Sequence, residues 1–393
     1  MERFPLHKSD NHNISTLLTS WSATCNMVHI VRPPGFGMGD NNKLSPKELN
    51  SHLTRALADI DAADVVRHFV GFPLLGAPSV LNEAAVVCLD IEWWQHQPKP
   101  TTELGIAELL AKGMLPTAHA ENILTGIQVA HARIMPHAHL LNTFKGSGDP
   151  EIFHFGTTKF VTAEEAKQVV IDTFVRPRLG GDKVGSLQPI ILIGHAVENE
   201  FEHIQRAFGV DLRSYGTVVK VIDTQAMATK AGIAGPKGPN IGLRDLLTYF
   251  NVHIDNLHTA GNDAAGTLMA AVLLALKDGL YPVGKPPAVV KGRNIQEVVE
   301  SVVSIGKSYP PPAWGREHFC TRCQRENHHR SDCFATVSCS ICRDSGVVRL
   351  YNAHRTHMTA NCLFAYQKLP DPGPMAQSKR FLPTRVRGVL KPR

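Results

Sequence analysis

Apolar residues first crowd into an unbroken run at Ala85-Val86-Val87-Cys88-Leu89, closed by Asp90. A short continuous run of this kind predicts a central strand buried on both faces. Residues 102–111 and 122–134 predict two further strands, making a three-strand meander, and short apolar runs at 189–193 and 218–222 predict two more. Between and around them the spacing turns helical. Ser45-Pro46-Lys47-Glu48 places an N-cap, a first-turn proline and a returning acid at the start of a helix over 46–59. A second helix is predicted over 62–69, and Thr162-Ala163-Glu164-Glu165 opens another that runs to about Phe174. Further helices follow the strand at 189–193 through Phe208, then at 243–250 and 264–277. Strands first in a meander, then alternating with helices, predict an α/β body with one mixed sheet flanked by helices.

The pattern also divides the chain. Residues 1–83 read as an N-terminal accessory segment, irregular at first and then partly helical, and residues 84–280 read as the α/β domain. Residues 281–315 are proline-rich (Pro286-Pro287, Pro310-Pro311-Pro312) around one helix near 295–305, and read as a linker. No unit of about 20–50 residues repeats across the body, which argues against a solenoid. The longest apolar stretch, Leu268 to Leu276, is far short of the roughly 20 residues a membrane span needs. No apolar segment follows the polar N-terminus as in a secretory signal. The expectation is a soluble intracellular protein of the nucleus, the cytoplasm or both, with no membrane partner.

Charge and cysteine sharpen the division. The net charge of +6 hides 18 Lys and Arg against 7 Asp and Glu from Tyr281 onward, and 23 against 28 before it. Six of the eight cysteines lie between Cys320 and Cys362, whereas Cys25 and Cys88 stand alone. In an intracellular chain such clusters read as metal sites before they read as disulfides. Cys320-x2-Cys323-x4-His328-x4-Cys333 has the spacing of a CCHC zinc knuckle, four tetrahedral ligands on a loop too polar to fold without metal. Cys339-x2-Cys342 followed by His357-x4-Cys362 repeats the half-spacings around a longer loop; His354 competes with His357, which keeps the x4 interval. Residues 316–365 thus read as two zinc knuckles, each a candidate for one structural Zn²⁺.

Knuckles commonly bind single-stranded nucleic acid through stacking and phosphate contacts. Arg322, Arg325 and Arg330 offer the cations here, but Thr321 and His329 occupy positions that are often aromatic, leaving Phe319 and Phe334 at the flanks. A protein-binding knuckle stays open as an alternative. The tail, 366–393, reads as disordered and basic; its Lys379, Arg380, Arg385 and Arg387 would add phosphate affinity.

Candidate chemistry in the body is carboxylate chemistry. Asp90 and Glu92, at i and i+2, fall on one face of the first strand. Two adjacent acids are costly without a cation between them, although acids at strand ends are commonplace. Gly194-His195-Ala196-Val197-Glu198-Asn199-Glu200 opens a helix after a buried strand, where a first-turn acid also suits the helix dipole. His258 and Asp263 lie five residues apart across the entry to the last body helix.

In this order the segments resemble the ribonuclease H-like 3′–5′ exonucleases of the DEDDh class, as does Thr101-Thr102-Glu103-Leu104-Gly105 on the second strand. Residues from about 86 to 276 resemble more closely a fungal family of such domains, whose members include a protein that assists the DEAD-box helicase of mRNA export. The match is carried by Cys88-Leu89-Asp90-Ile91-Glu92, Phe153-His154-Phe155-Gly156, Ala163-Glu164-Glu165-Ala166-Lys167, Gly194-His195-Ala196-Val197 and His258-Thr259-Ala260-Gly261-Asn262-Asp263-Ala264. The resemblance implies a ribonuclease H-like fold in which Asp90, Glu92, Glu200 and Asp263 hold two Mg²⁺ or Mn²⁺ ions about 4 Å apart. His258 would then be the general base. The class has Asp where this chain has Glu200, whose extra methylene displaces the carboxylate by one bond. Two functions follow: a metal-dependent 3′–5′ exonuclease on single-stranded RNA or DNA, RNA preferred, or a non-catalytic adaptor of RNA metabolism that binds RNA or a helicase partner through the same fold.

Overall fold

The structure is a computed structural model and describes residues 46–178, 186–197, 200–282 and 284–366. These residues all belong to one compact unit, Pro34–Arg393. It opens with helices α1 (Pro46–Leu57) and α2 (Ala62–Phe69). Strands β1 (Ala85–Trp93) and β2 (Thr101–Leu109) follow, then a single turn α3 (Glu121–Leu124), β3 (Ile127–Ile134), β4 (Thr158–Val161) and helix α4 (Ala163–Phe174). Next come β5 (Ile190–Gly194), α5 (Glu200–Phe208), α6 (Leu212–Tyr215), β6 (Val218–Asp223), α7 (Thr224–Lys230), α8 (Leu243–Tyr249) and α9 (Ala260–Leu280). A short hairpin, β7 (Val289–Val290) and β8 (Arg293–Asn294), leads into α10 (Ile295–Ser308).

Six strands form one sheet in the order β4-β3-β2-β1-β5-β6. The meander is antiparallel, and β1–β5, β5–β6 and β3–β4 are parallel. This is the expected mixed sheet of an α/β body. The central strand is buried because both its faces are covered: Val86 and Cys88 join the large core under α9, while Ala85, Val87 and Leu89 point to the other face and are equally buried. On that register Asp90 continues the α9 side opposite Gly105, and Glu92 lies opposite Glu103.

Helix α9 sets the geometry of the site. Its residues from Ala264 to Leu276 are nearly all apolar and buried, and it crosses β1, β2 and β3. The crossing is close at its N-terminus, where a Cβ on Gly105 of β2 would overlap the Ala260 carbonyl. Backbone therefore packs on backbone, which only glycine allows here. The Thr162 capping box is present in full, with Thr162 Oγ1 accepting from the Glu165 N–H and Glu165 returning to the Thr162 N–H.

Three expectations change. Residues 122–126 are not strand: α3 forms a turn that sends Ile123 and Leu124 into the core before β3 begins. The stretch 281–315 is not a free linker, because Ile295, Val298, Val299 and Val302 of α10 form a helical apolar stripe buried in the main core. Helices α1 and α2 likewise bury Leu53, Leu57, Val65, Val66 and Phe69 in that core, so the body extends on both sides of 84–280. The Ser45 cap, Cys25, and the tail residues Lys379, Arg380, Arg385 and Arg387 lie outside the described residues. No described helix is long and apolar enough to cross a membrane.

Candidate metal and nucleic-acid sites

At the open end of β1 the chain brings three groups together. Glu92, His258 and Asp263 each offer a ligand atom, and these atoms lie within 4.8 Å of one another. His258 Nδ1 stands 3.9 Å from Glu92 Oε1. The His258 backbone sits in the left-handed region (φ 66°), a turn that aims its N–H at Asp263 Oδ1, 3.0 Å away. That loop is pinned from below. Asn256 Nδ2 donates to the Asp149 and Ile152 carbonyls and to Thr259 Oγ1, and a Cβ on Gly148 would collide with the His258 carbonyl.

Asp90 is at the adjacent register position on the same face, two residues before Glu92, but is not one of the three grouped atoms. Glu200 is the first residue of α5, as expected; its side chain, with Glu198 and Asn199, lies outside the described residues. His195 is engaged structurally, with Nδ1 at 2.8 Å from Thr224 Oγ1 and Nε2 at 3.0 Å from the Ile241 carbonyl.

A further residue belongs to this site that the sequence singled out only within a motif. Glu103 is buried on β2, and its Oε2 lies 3.0 Å from His131 Nε2 and accepts from the Ala260 N–H at 3.2 Å. It thereby satisfies a first-turn donor of α9 that has no partner within the helix. The signal for this role was the acid directly opposite Glu92 in the antiparallel pair, visible once the meander is drawn.

Burial and mutual repulsion dominate the electrostatics. Burial, with the charges of Glu103 and then Asp263, pushes Glu92 up to about 8. Burial pushes Asp263 up to about 7; the Glu103 charge adds to this, while the His258 N–H and the Arg244 cation oppose it. Burial, then the Arg244 charge, holds His258 below its usual value. Two half-buried carboxylates, Glu92 and Asp263, and the exposed His258 imidazole converge at one edge, with buried Glu103 behind them, and the carboxylate oxygens suit a hard divalent cation such as Mg²⁺ or Mn²⁺.

The cysteine clusters are also formed. Cys320, Cys323, His328 and Cys333 present four donor atoms within 4.8 Å of one another, and so do Cys339, Cys342, His357 and Cys362. Cys323 Sγ lies 3.4 Å from His328 Nε2, and Cys342 Sγ lies 3.6 Å from both His357 Nε2 and Cys362 Sγ. Zinc–sulfur bonds near 2.3 Å at tetrahedral angles require sulfur–sulfur separations of about 3.7 Å, so the donor sets fit zinc. The seven described cysteines are all free thiols. The other ring nitrogens are held, His328 Nδ1 by Asn327 Oδ1 at 2.7 Å and His357 Nδ1 by Thr356 Oγ1 at 2.9 Å, which orients Nε2 inward. Of the two candidates for the second site, His357 stands within the cluster, while His354 turns its Nδ1 to the Tyr351 carbonyl.

The knuckles are fixed to each other and to the body. Asn361 of the second donates to the Thr321 carbonyl of the first at 2.6 Å and accepts from Gln324 Nε2 at 2.8 Å. Phe319 packs on Phe160 of β4 with Met135 and Ala138, and Arg316 pairs backbone-to-backbone with Phe160 along the sheet edge. Arg322 Nη1 donates to the Cys333 carbonyl at 2.9 Å, so this cation is committed inside its knuckle. Arg325 and Arg330 are exposed.

A family model described as DNA polymerase III subunit epsilon-like, C-terminal domain (DEDDh_C) matches residues 85–274. Over residues 85–274, just under half of its length, the chain is similar to that family. No curated protein matches the chain. Among solved structures, the zinc-bound complex of Escherichia coli exonuclease I with single-stranded DNA is 14% identical, with a TM-score of 0.31, over 51% of this chain and 42% of that one. A structure of exonuclease I described in terms of its processivity is 13% identical with a TM-score of 0.30 over the same shares. The E. coli enzyme in complex with a dA16 oligonucleotide is 12% identical with a TM-score of 0.30, again over those shares. The chain spans less than half the length of these structures.

Proposed function

We propose that the DEDDh exonuclease-like domain is a divalent-metal-dependent 3′–5′ nuclease acting on single-stranded nucleic acid, RNA preferred, with a pair of zinc knuckles that hold the strand. The observation that carries this reading is the convergence of Glu92, His258 and Asp263 within 4.8 Å of one another at the open end of the sheet. Asp90, Glu92, Glu200 and Asp263 would hold Mg²⁺ or Mn²⁺. Such ions, when bound, lower the pKa of a coordinated water and stabilise charge on the departing oxygen. The chain's own part is positional. Glu92 and Asp263 supply hard oxygen donors from β1 and α9, and Glu103 anchors the start of α9 so that the two stay in register.

His258, half exposed at the rim with burial lowering its pKa, would take the proton of the attacking water through its ring. Its backbone N–H keeps Asp263 oriented. Each knuckle takes one structural Zn²⁺, and thiol-rich sites of this kind suit the reducing nucleus or cytoplasm. Preference for RNA rests on the resemblance to the mRNA-export family.

Glu200, standing where the class has Asp, supports a second reading. In it the domain is an adaptor of RNA metabolism that keeps the fold and binds RNA or a helicase partner without cleaving. A 5′-labelled single strand incubated with Mn²⁺ separates the two. Stepwise shortening from the 3′ end by the wild-type chain and not by Asp90→Asn supports the nuclease; equal, background loss with both supports the adaptor.

A further inference from the structure

The loop that follows β3 joins two places already described. At one end Met135 and Ala138 pack on Phe319, which leads into the first knuckle, so that knuckle borders the loop. At the other end the edge of Phe144 meets the His258 ring, with centroids 5.6 Å apart. Between them the loop is held in place. Asn142 Nδ2 donates to the Trp93 carbonyl at 2.9 Å, its Oδ1 accepts from the Gln95 N–H at 2.8 Å, and the Thr143 N–H donates to Gln95 Oε1 at 2.9 Å.

Along this fixed loop the exposed side chains are Leu141, Thr143, Phe144 and Lys145. Phe144 is 43% and Leu141 50% exposed, and Lys145 is exposed beside Phe144. On the first knuckle Phe334 is 97% exposed, next to the ligand Cys333, with exposed Arg330 and Arg325 on the same short loop. Its companion flank residue Phe319 is only 6% exposed, used up in docking to Phe160. An aromatic so fully in water gains nothing for the fold. Aromatic faces set among cations are the composition that binds unpaired bases and their phosphates.

We infer that residues 138–148 and the first knuckle form one continuous track for a single-stranded nucleic acid, with Phe144 stacking on the base nearest the carboxylate site and Phe334 with Arg330 holding the strand further from its end. The inference rests on the nucleic-acid reading proposed above but not on cleavage. It follows from the knuckles being docked on β4 and on each other: the separation between Phe334 and Phe144 is set by the fold rather than by a tether. A strand must therefore reach both to gain from both.

The test is binding of fluorescent dinucleotide and of long poly(U) and poly(dT) to the zinc-loaded full chain without added Mg²⁺ or Mn²⁺. Phe144→Ala should weaken binding of both the dinucleotide and the long strands, by about tenfold for a lost stacking platform. Phe334→Ala and Arg330→Gln should weaken only the long strands, and the loss with Phe334→Ala should add to that with Phe144→Ala. Comparison of poly(U) with poly(dT) tells RNA from DNA as the occupant, and either supports the track. Tight binding of long strands that is indifferent to Phe334→Ala and Arg330→Gln would overturn the track and leave nucleic-acid binding intact. Absence of any binding by the zinc-loaded wild type would overturn both.

Discussion

Glu103 Oε2 accepts a hydrogen bond from the Ala260 N–H at 3.2 Å while lying 3.0 Å from His131 Nε2, so one buried carboxylate ties β2, β3 and the start of α9 together. Glu103→Ala removes the shared partner and leaves two buried polar groups unsatisfied, each costing roughly 1–3 kcal/mol. Glu103→Gln keeps an acceptor oxygen for Ala260 and should lose clearly less. Thermal unfolding of the two variants checks this; equal loss in both would mean that the charge, not the hydrogen-bond geometry, is what matters.

The pH dependence of stability has a definite sign. Glu92 and Asp263 are pushed up to about 8 and about 7 in the folded chain, above their values when unfolded. Between about pH 4.5 and 8 the folded state therefore binds more protons than the unfolded state, and stability falls as pH rises through that window. A divalent cation between the carboxylates would replace those protons. Chemical denaturation of the zinc-loaded chain, kept free of Mg²⁺ and Mn²⁺, should show decreasing stability from pH 5 to 8, and saturating Mn²⁺ should flatten the slope.

Zinc content distinguishes the histidines. The wild-type chain should carry two zinc equivalents, His357→Ala should retain about one, and His354→Ala should retain two. Metal analysis by mass spectrometry reads this directly. Two equivalents in His357→Ala would return the fourth ligand to His354.

The first knuckle docks on the body through Phe319. Phe319→Ala empties the contact with Phe160, Met135 and Ala138, and loss of a buried aromatic typically costs about 3–5 kcal/mol. Limited proteolysis of this variant should cut near 309–318 well before the wild type is cut, with zinc content unchanged. Loss of zinc along with docking would show that the knuckles fold only on the body.

Much of this was legible in the sequence for reasons that are local. The run Ala85–Leu89 is short, rich in valine and apolar on both faces, which suits a doubly buried strand. The knuckle spacings fix their own ligands, since short loops leave little choice of geometry. What the sequence hid is non-local. The prolines around α10 suggested a linker, whereas the stripe Ile295, Val298, Val299, Val302 could be placed in the core only once the face it covers was known. Phe319 and Phe334 looked equivalent at the two flanks, and only the position of Phe160 on the edge strand separates a docking residue from an exposed one. Glu103 sat within a quoted motif, but its bond to Ala260 spans 157 positions of chain.

The central claim is that the open end of β1 and the start of α9 bind a divalent cation. Anomalous diffraction from crystals of the zinc-loaded chain grown with Mn²⁺ tests it most directly. The account predicts a manganese peak within ligand distance of Glu92 and Asp263, with the Glu200 carboxylate turned toward it, and none in Glu92→Gln. A full-length structure in saturating Mn²⁺ with no manganese beside these two carboxylates would contradict it.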